Sequence, residues 1–269
     1  MYGAILGDII GSPYEFDRGN KTKDFPLFTD QSHYTDDTVM TIAIADALLC
    51  VGQYDIGNAD DVDKIEKMVI EKMRLWGQKY PHAGYGWMFS QWLQTENPKP
   101  YGSYGNGSAM RVSSVGWLYD SLNQTRVTAD LTAKVTHDHP EGRMGADCVA
   151  SVIYMARSGN SKRDIRDWVQ GHYYGKLKTC DEIRPKYYHQ ESCQHTVPEA
   201  VSAFLEGEDF EDVIRNAVSL GGDCDTLTCI AGAIAEAYFG VPEVLKEECL
   251  NRIEDDMREV LLKFDKKRL

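Results

Sequence analysis

Two short acidic stretches carry the residue types that bind cations or move protons. In HYTDDTVMTIAIADALL, Asp36 and Asp37 stand side by side between Thr35 and Thr38, and the chain then turns almost wholly apolar. In SLGGDCDTLTCIAGAIAEAYFG, Asp223, Asp225 and Thr226 head a second such run, after Gly221 and Gly222, which permit a tight turn. Either stretch alone reads as a helix start, with Thr35 as cap and the acids at the positive end of the helix dipole. Two of them, on the two most apolar runs of one chain, point to convergence in one cleft. Unit charges about 4 Å apart repel by about 4 kcal/mol at an effective dielectric of 20. Protonation or a bound cation must relieve that. Carboxylates and hydroxyls are hard oxygen ligands, suited to Mg²⁺, Mn²⁺ or Ca²⁺ rather than Zn²⁺.

Other motifs admit two readings each. YGNGSAMR places Gly105 and Gly107 around Asn106 at a helix start, where exposed amides can cradle a phosphate; a plain glycine turn capped by Ser108 is the alternative. Glu15 follows Pro13 in a loop after a short first helix, where a lone Glu is ordinarily just solvated. THDHP holds His137 and His139 with no cysteine near them, which argues against zinc and reads as a helix end with surface histidines. Tyr85, Trp87, Tyr101 and Tyr104 could stack on a planar ligand or belong to core and rim.

The elements that must position these residues are helical nearly throughout. TVMTIAIADALL and DTLTCIAGAIAEAYFG are apolar all round, so both are expected to be central. DKIEKMVIEKMRLWGQKY is amphipathic. Further helices are expected over SAMRVSSVGWLYDSL, EGRMGADCVASVIYMARSG with Gly159 as its C′ residue, VPEAVSAFLEG starting near Pro198, FEDVIRNAVSL, and VPEVLKEECLNRIEDDMREVLLKF. KLKTCDEIRPKYYHQESCQHT is irregular and polar, a surface excursion. The reading is one all-α domain over residues 1–269 with buried central helices.

Net charge is −13, from 42 acids against 29 bases, which argues against nonspecific nucleic-acid binding. No run of about 18 apolar residues occurs, so no membrane span is expected. The N-terminal MYGAILGDIIGS lacks a basic region, and Asp8 interrupts its apolar run, unlike a signal peptide. Seven cysteines form no CxxC pair; Cys50, Cys148, Cys224 and Cys229 read as core thiols of a reduced, cytoplasmic protein.

Taken in order, GAILGDIIGSPYEF, TDDT, YGNGSAMR, THDHPEGRMGA and GGDCDT resemble the motifs of the ADP-ribosylglycohydrolases, over nearly the whole chain. The resemblance implies a compact all-α orthogonal domain with a dinuclear metal site at helix N-termini, holding two Mg²⁺ or, second, Mn²⁺ ions. Thr35, Asp36, Asp37, Asp223, Asp225 and Thr226 match the ligand positions. Gly105, Asn106, Gly107, Ser108 and Met110 match the loop around the diphosphate and distal ribose, and His137 a residue that reaches the nucleotide. Glu15 matches a catalytic glutamate, with Asp36 and Asp223 as further candidates for moving the proton. The implied activity is removal of mono-ADP-ribose from an acceptor, first an arginine N-glycoside and second a serine O-glycoside, by a monomer. A non-catalytic, crystallin-like binder of ADP-ribose and another metal-dependent nucleotide hydrolase are the alternatives. Residues 174–195 match no pattern of the family.

Overall fold

The computed structural model describes residues 1–18 and 21–268. Its first helix, α1 (Tyr2–Gly11), is buried at every residue. Gly3, Gly7 and Gly11 recur every fourth residue and so share one face. That face lies against α13 (Cys224–Phe239). A Cβ on Gly3 would sit 2.1 Å from the Gly232 carbonyl oxygen, and one on Gly7 2.1 Å from that of Thr228. Gly232 returns the contact, since its own Cβ would meet the Gly3 oxygen at 2.2 Å. The two backbones therefore touch directly. Glu236 of α13 fastens the far end, accepting from the Met1 amino group and the Gly3 N–H, both at 2.8 Å.

The second central helix, α2 (Asp36–Val51), is buried over most of its surface, as its all-round apolar sequence requires. Outside it lies α3 (Ala59–Lys79), which is capped by Asn58 and buries Ile65, Val69, Met73 and Trp76. The shell continues through α4 (Trp87–Gln94), α5 (Gly107–Met110), α6 (Ser113–Leu118), α7 (Leu122–Lys134), α8 (Pro140–Arg157), α9 (Lys162–Val169), α10 (Cys180–Ile183), α11 (Cys193–Glu206), α12 (Phe210–Leu220), α14 (Glu243–Arg252) and α15 (Asp255–Arg268). Among the described residues no β-strand forms, and one isolated bridge pairs Gly105 with Ser192. No described helix is long and apolar enough to cross a membrane.

Several boundaries differ from the sequence expectation. SAMRVSSVGWLYDSL is two short helices rather than one. The backbone flattens at Arg111 and Val112, where the buried Arg111 guanidinium donates to the Thr132 carbonyl and the Thr136 hydroxyl. α11 starts at Cys193, so Pro198 lies inside the helix, where it removes one backbone donor and crowds the Gln194 carbonyl. The closing stretch divides at Ile253, which is extended and buried. Gly159 does take a left-handed φ of 81° after α8. Cys50 is exposed on the outer face of α2 and is no core thiol, whereas Cys148, Cys224 and Cys229 are buried. The 174–195 excursion is also more than surface: Cys180, Ile183, Tyr187 and Cys193 are buried.

The α1–α13 contact yields a stability prediction. Gly7→Ala forces a methyl into the Thr228 carbonyl and should cost about 1–3 kcal/mol. Gly171→Ala, where a Cβ would meet nothing within 4 Å, should be neutral or nearly so. Urea unfolding of both variants checks the contrast, and equal midpoints would refute a close backbone crossing.

Candidate metal and substrate site

The helix heads expected to converge do so. Asp36, Asp37, Asp223, Asp225 and Thr226 line one cleft of about 370 Å³, with Glu15 at its side. The Thr226 hydroxyl donates to Asp37 Oδ2 at 3.0 Å, joining the head of α13 to that of α2. A carboxylate oxygen from each of Glu15, Asp223 and Asp225 lies within 4.8 Å of the others.

Thr35 caps α2, its hydroxyl accepting from the Asp37 N–H at 3.3 Å. That hydroxyl donates in turn to Asp8, and Thr35 does not line the cleft. Asp8 is the residue that sequence reasoning missed. It is fully buried on α1 and accepts from the N–H and hydroxyl of both Thr35 and Thr38. It thus caps α2 from a different helix. A charge inside an otherwise apolar run was its signal, noted above only as an interruption.

Electrostatics follow from burial. Asp36, Asp37 and Asp223 are pushed well above the usual carboxylate range, first by desolvation and then by the charge on Asp225. Asp225 is itself raised by burial. Glu15 is raised to about 7 by burial and by Asp225, and Asp8 to about 7 for the same two reasons. None of these carboxylates has an ion-pair partner among the described residues. Asp37 Oδ1 is buried without any hydrogen-bond partner. An orphaned oxygen amid converging hard donors fits a divalent cation.

The glycine loop forms the facing wall. Gly105, Asn106, Gly107 and Met110 line the cleft with Arg111 and His137. Asn106 donates from Nδ2 to Asp223 Oδ2 at 2.6 Å and to the Thr196 hydroxyl at 3.1 Å, tying the loop to the acidic centre. The N–H of Gly105 is taken by the Ser103 hydroxyl and that of Asn106 by the Glu191 carbonyl. Ser108 is buried and donates to the Gly142 carbonyl at 2.7 Å, serving the packing of α8 rather than the cleft.

His137 is buried, not on the surface, with Nδ1 2.7 Å from the Thr136 hydroxyl. Burial, and secondly the Arg111 charge, hold it well below the usual imidazole pKa, so it is neutral. A Cβ on Gly107 would lie 3.3 Å from its Nε2, which is one reason for glycine there. His139 is exposed and caps α8. Of the candidate aromatics, Trp87 and Tyr101 line the cleft; Tyr85 packs edge-on against Phe89, and Tyr104 against His139.

Helices alone, with an oxygen-donor centre where two buried helices begin, define the class: an all-α protein built around a candidate divalent-cation site. The same fold occurs in a solved ADP-ribosylglycohydrolase-related protein complex, at a TM-score of 0.71 and 22% identity over 99% of this chain and 95% of that one. Among curated proteins, human ADP-ribosylhydrolase ARH3 is 27% identical over 96% of this chain and 90% of its own length. ADP-ribosylarginine hydrolase Tri1 of Serratia proteamaculans is 23% identical over 91% of this chain and 72% of its own. The family model described as ADP-ribosylglycohydrolase matches residues 1–268, and the chain belongs to that family.

The raised carboxylates predict how stability depends on pH. Acids that hold protons more tightly folded than unfolded make folding take up protons. Without metal, stability should therefore fall as pH rises from about 4, the unfolded value, through about 7, the value for Asp8 and Glu15. The single depressed imidazole, His137, works the other way but is outnumbered. In EDTA the melting temperature should drop between pH 5.5 and 8. Mg²⁺ or Mn²⁺ at about 100 times its Kd should restore about 2.7 kcal/mol. Melting curves indifferent to both pH and metal would count against a cation centre here.

Proposed function

We propose that this chain hydrolyses the bond between C1 of the proximal ribose of ADP-ribose and an acceptor side chain, releasing intact ADP-ribose. The observation that supports this reading is the meeting of Glu15, Asp36, Asp37, Asp223 and Asp225 with the Asn106 glycine loop in one cleft. Asp36, Asp37, Asp223, Asp225 and Thr226 would hold two divalent cations, Mg²⁺ first and Mn²⁺ second. Thr35, whose hydroxyl hydrogen is committed to Asp8, could add only an oxygen lone pair. Bound cations of this kind supply Lewis-acid polarisation and neutralise charge near the ribose hydroxyls and water.

The chain's own residues supply the rest. Glu15, held at about 7 by burial and by Asp225 in the metal-free protein, would be drawn toward the carboxylate form by bound cations, which suits it to take a proton from water. Asp36 and Asp223 are the other candidates for that role. Positive charge that develops at C1 in an oxocarbenium-like transition state would face the acidic wall. Because the N–H groups of Gly105 and Asn106 are occupied, and those of Ala109 and Met110 donate to the Asn106 carbonyl, amides for the diphosphate would come from Gly107 and Ser108 at the head of α5. Neutral His137 and Met110 would border the nucleotide without adding charge. Binding at this remote end orients the reacting carbon.

The acceptor we favour is arginine. The relative from Serratia is named an ADP-ribosylarginine hydrolase, and an acidic cleft suits a guanidinium leaving group. Serine is second. Mass spectrometry of ADP-ribosylated arginine and serine peptides, incubated with enzyme and Mg²⁺, separates the two. Free ADP-ribose is expected, whereas AMP would mean attack on the diphosphate instead. ADP-ribose binding without turnover of either peptide would favour a non-catalytic role. Asp225→Asn should abolish turnover, while Glu15→Gln should lower kcat by roughly 10²–10⁴-fold and leave ADP-ribose binding intact. Lost binding in Glu15→Gln would make Glu15 a structural residue.

A further inference from the structure

Glu15 stands among like charges. A carboxylate oxygen of Glu15 lies within 4.8 Å of one from each of Asp223 and Asp225, so the loop that carries it brings like charges close together. That loop is also conformationally costly. Phe16, Asp17 and Lys21 are non-glycine residues at φ of 57°, 56° and 49°. Such conformations persist only where the surroundings over-determine them.

Contacts with two distant segments over-determine them. Asp17 Oδ1 accepts from the Gly222 N–H at 2.9 Å, and Oδ2 from the His189 N–H at 3.0 Å. Lys21 donates to the carbonyls of Arg184 and Tyr187. The Phe16 ring lies 4.8 Å from the His189 imidazole. Gly221 leaves the room, since a Cβ there would sit 3.3 Å from Asp17 Oδ1 and 2.9 Å from Lys21 Cε. Gly222 immediately precedes Asp223. One carboxylate therefore ties the Glu15 loop both to the turn that carries Asp223 and to the 174–195 segment.

We propose that Asp17 is a positioning residue, whose carboxylate clasps the Glu15 loop to the Gly221–Gly222 turn and to residues 184–189 and so holds Glu15 over the acidic centre. The segment 174–195 thereby has a role, as the outer half of the clasp. This assignment rests on the reading of Glu15 as the proton-moving residue.

The test is Asp17→Ala, with Asp17→Asn as a graded variant that keeps one accepting oxygen. Asp17→Ala should lower kcat on the order of 10- to 100-fold, the effect of a small misplacement. KM and ADP-ribose affinity should stay near wild type, because the glycine loop is untouched, while the melting temperature should fall only by what two lost hydrogen bonds cost. Asp17→Asn should fall between. In a Glu15→Gln background, Asp17→Ala should add nothing, since both changes act through one group. Amide hydrogen exchange over residues 15–18 should quicken in Asp17→Ala, whether or not substrate is at hand. Wild-type kcat and unchanged exchange in Asp17→Ala, with Glu15→Gln impaired, would overturn the clasp alone. A full additive loss on top of Glu15→Gln would also overturn it, by showing a route other than Glu15. Wild-type kcat in Glu15→Gln would instead overturn the reading of Glu15, and the clasp's catalytic role with it.

Discussion

Repulsion among buried carboxylates is the constraint around which this molecule is arranged. Asp37, Asp223 and Asp225 are buried and line one cleft with the half-buried Asp36 and Glu15, and Asp8 is buried on α1; none of the six has an ion-pair partner among the described residues. Helix dipoles favour acids at these N-termini, but only modestly, by roughly 0.3–1 kcal/mol each. Single pairs of unit charges at such spacing repel by several times that. The arrangement is tolerable only if protons or cations share the cleft. The upward shifts at Glu15, Asp36, Asp37 and Asp223 express the first remedy, and the orphaned oxygen of Asp37 points to the second.

Rigid backbone placement is what holds the charges there. α1 carries Asp8, and α1 touches α13 through glycine faces with no side chains between them. Asp8 in turn grips both threonines at the head of α2. The two acidic helix heads are thus fixed through one short helix, which lies between them in function though it precedes both in sequence. Gly11 meets the backbone of Asp225 itself, so the glycine row ends at the site.

The substrate wall is tied to the same centre by neutral groups. Asn106 bridges the glycine loop to Asp223, and His137 is kept uncharged under that loop by burial and by Arg111. Arg111 spends its guanidinium on backbone and hydroxyl oxygens of α7 and the turn after it rather than on the acids. Charge is therefore segregated. Acids crowd one wall, and the glycine-loop wall offers amides, an amide side chain, a neutral imidazole and the Arg111 guanidinium, a division suited to a ligand with a polar sugar at one end and a nucleotide at the other.

Much of this was legible in the residues. All-round apolar runs required buried helices, and two acidic heads on such helices pointed to one cleft, where like charges need protons or cations between them. Chain breaks were harder to read: Arg111–Val112 and Ile253 end helices through buried contacts that local periodicity does not encode. Asp8 looked like an interruption because its four donors come from residues far along the chain. Ser108 and Thr35 carry the right atoms in the right motif, yet packing turned one hydroxyl to Gly142 and the other to Asp8. His137 read as a surface group until the fold closed over it. Residue type and helical spacing are local properties, so the sequence by itself determined the helices, their acidic heads and the family. Burial, hydrogen-bond partners and charge proximity arise only when distant segments meet, so tertiary structure alone decided which of those residues face the cleft and how strongly they hold their protons.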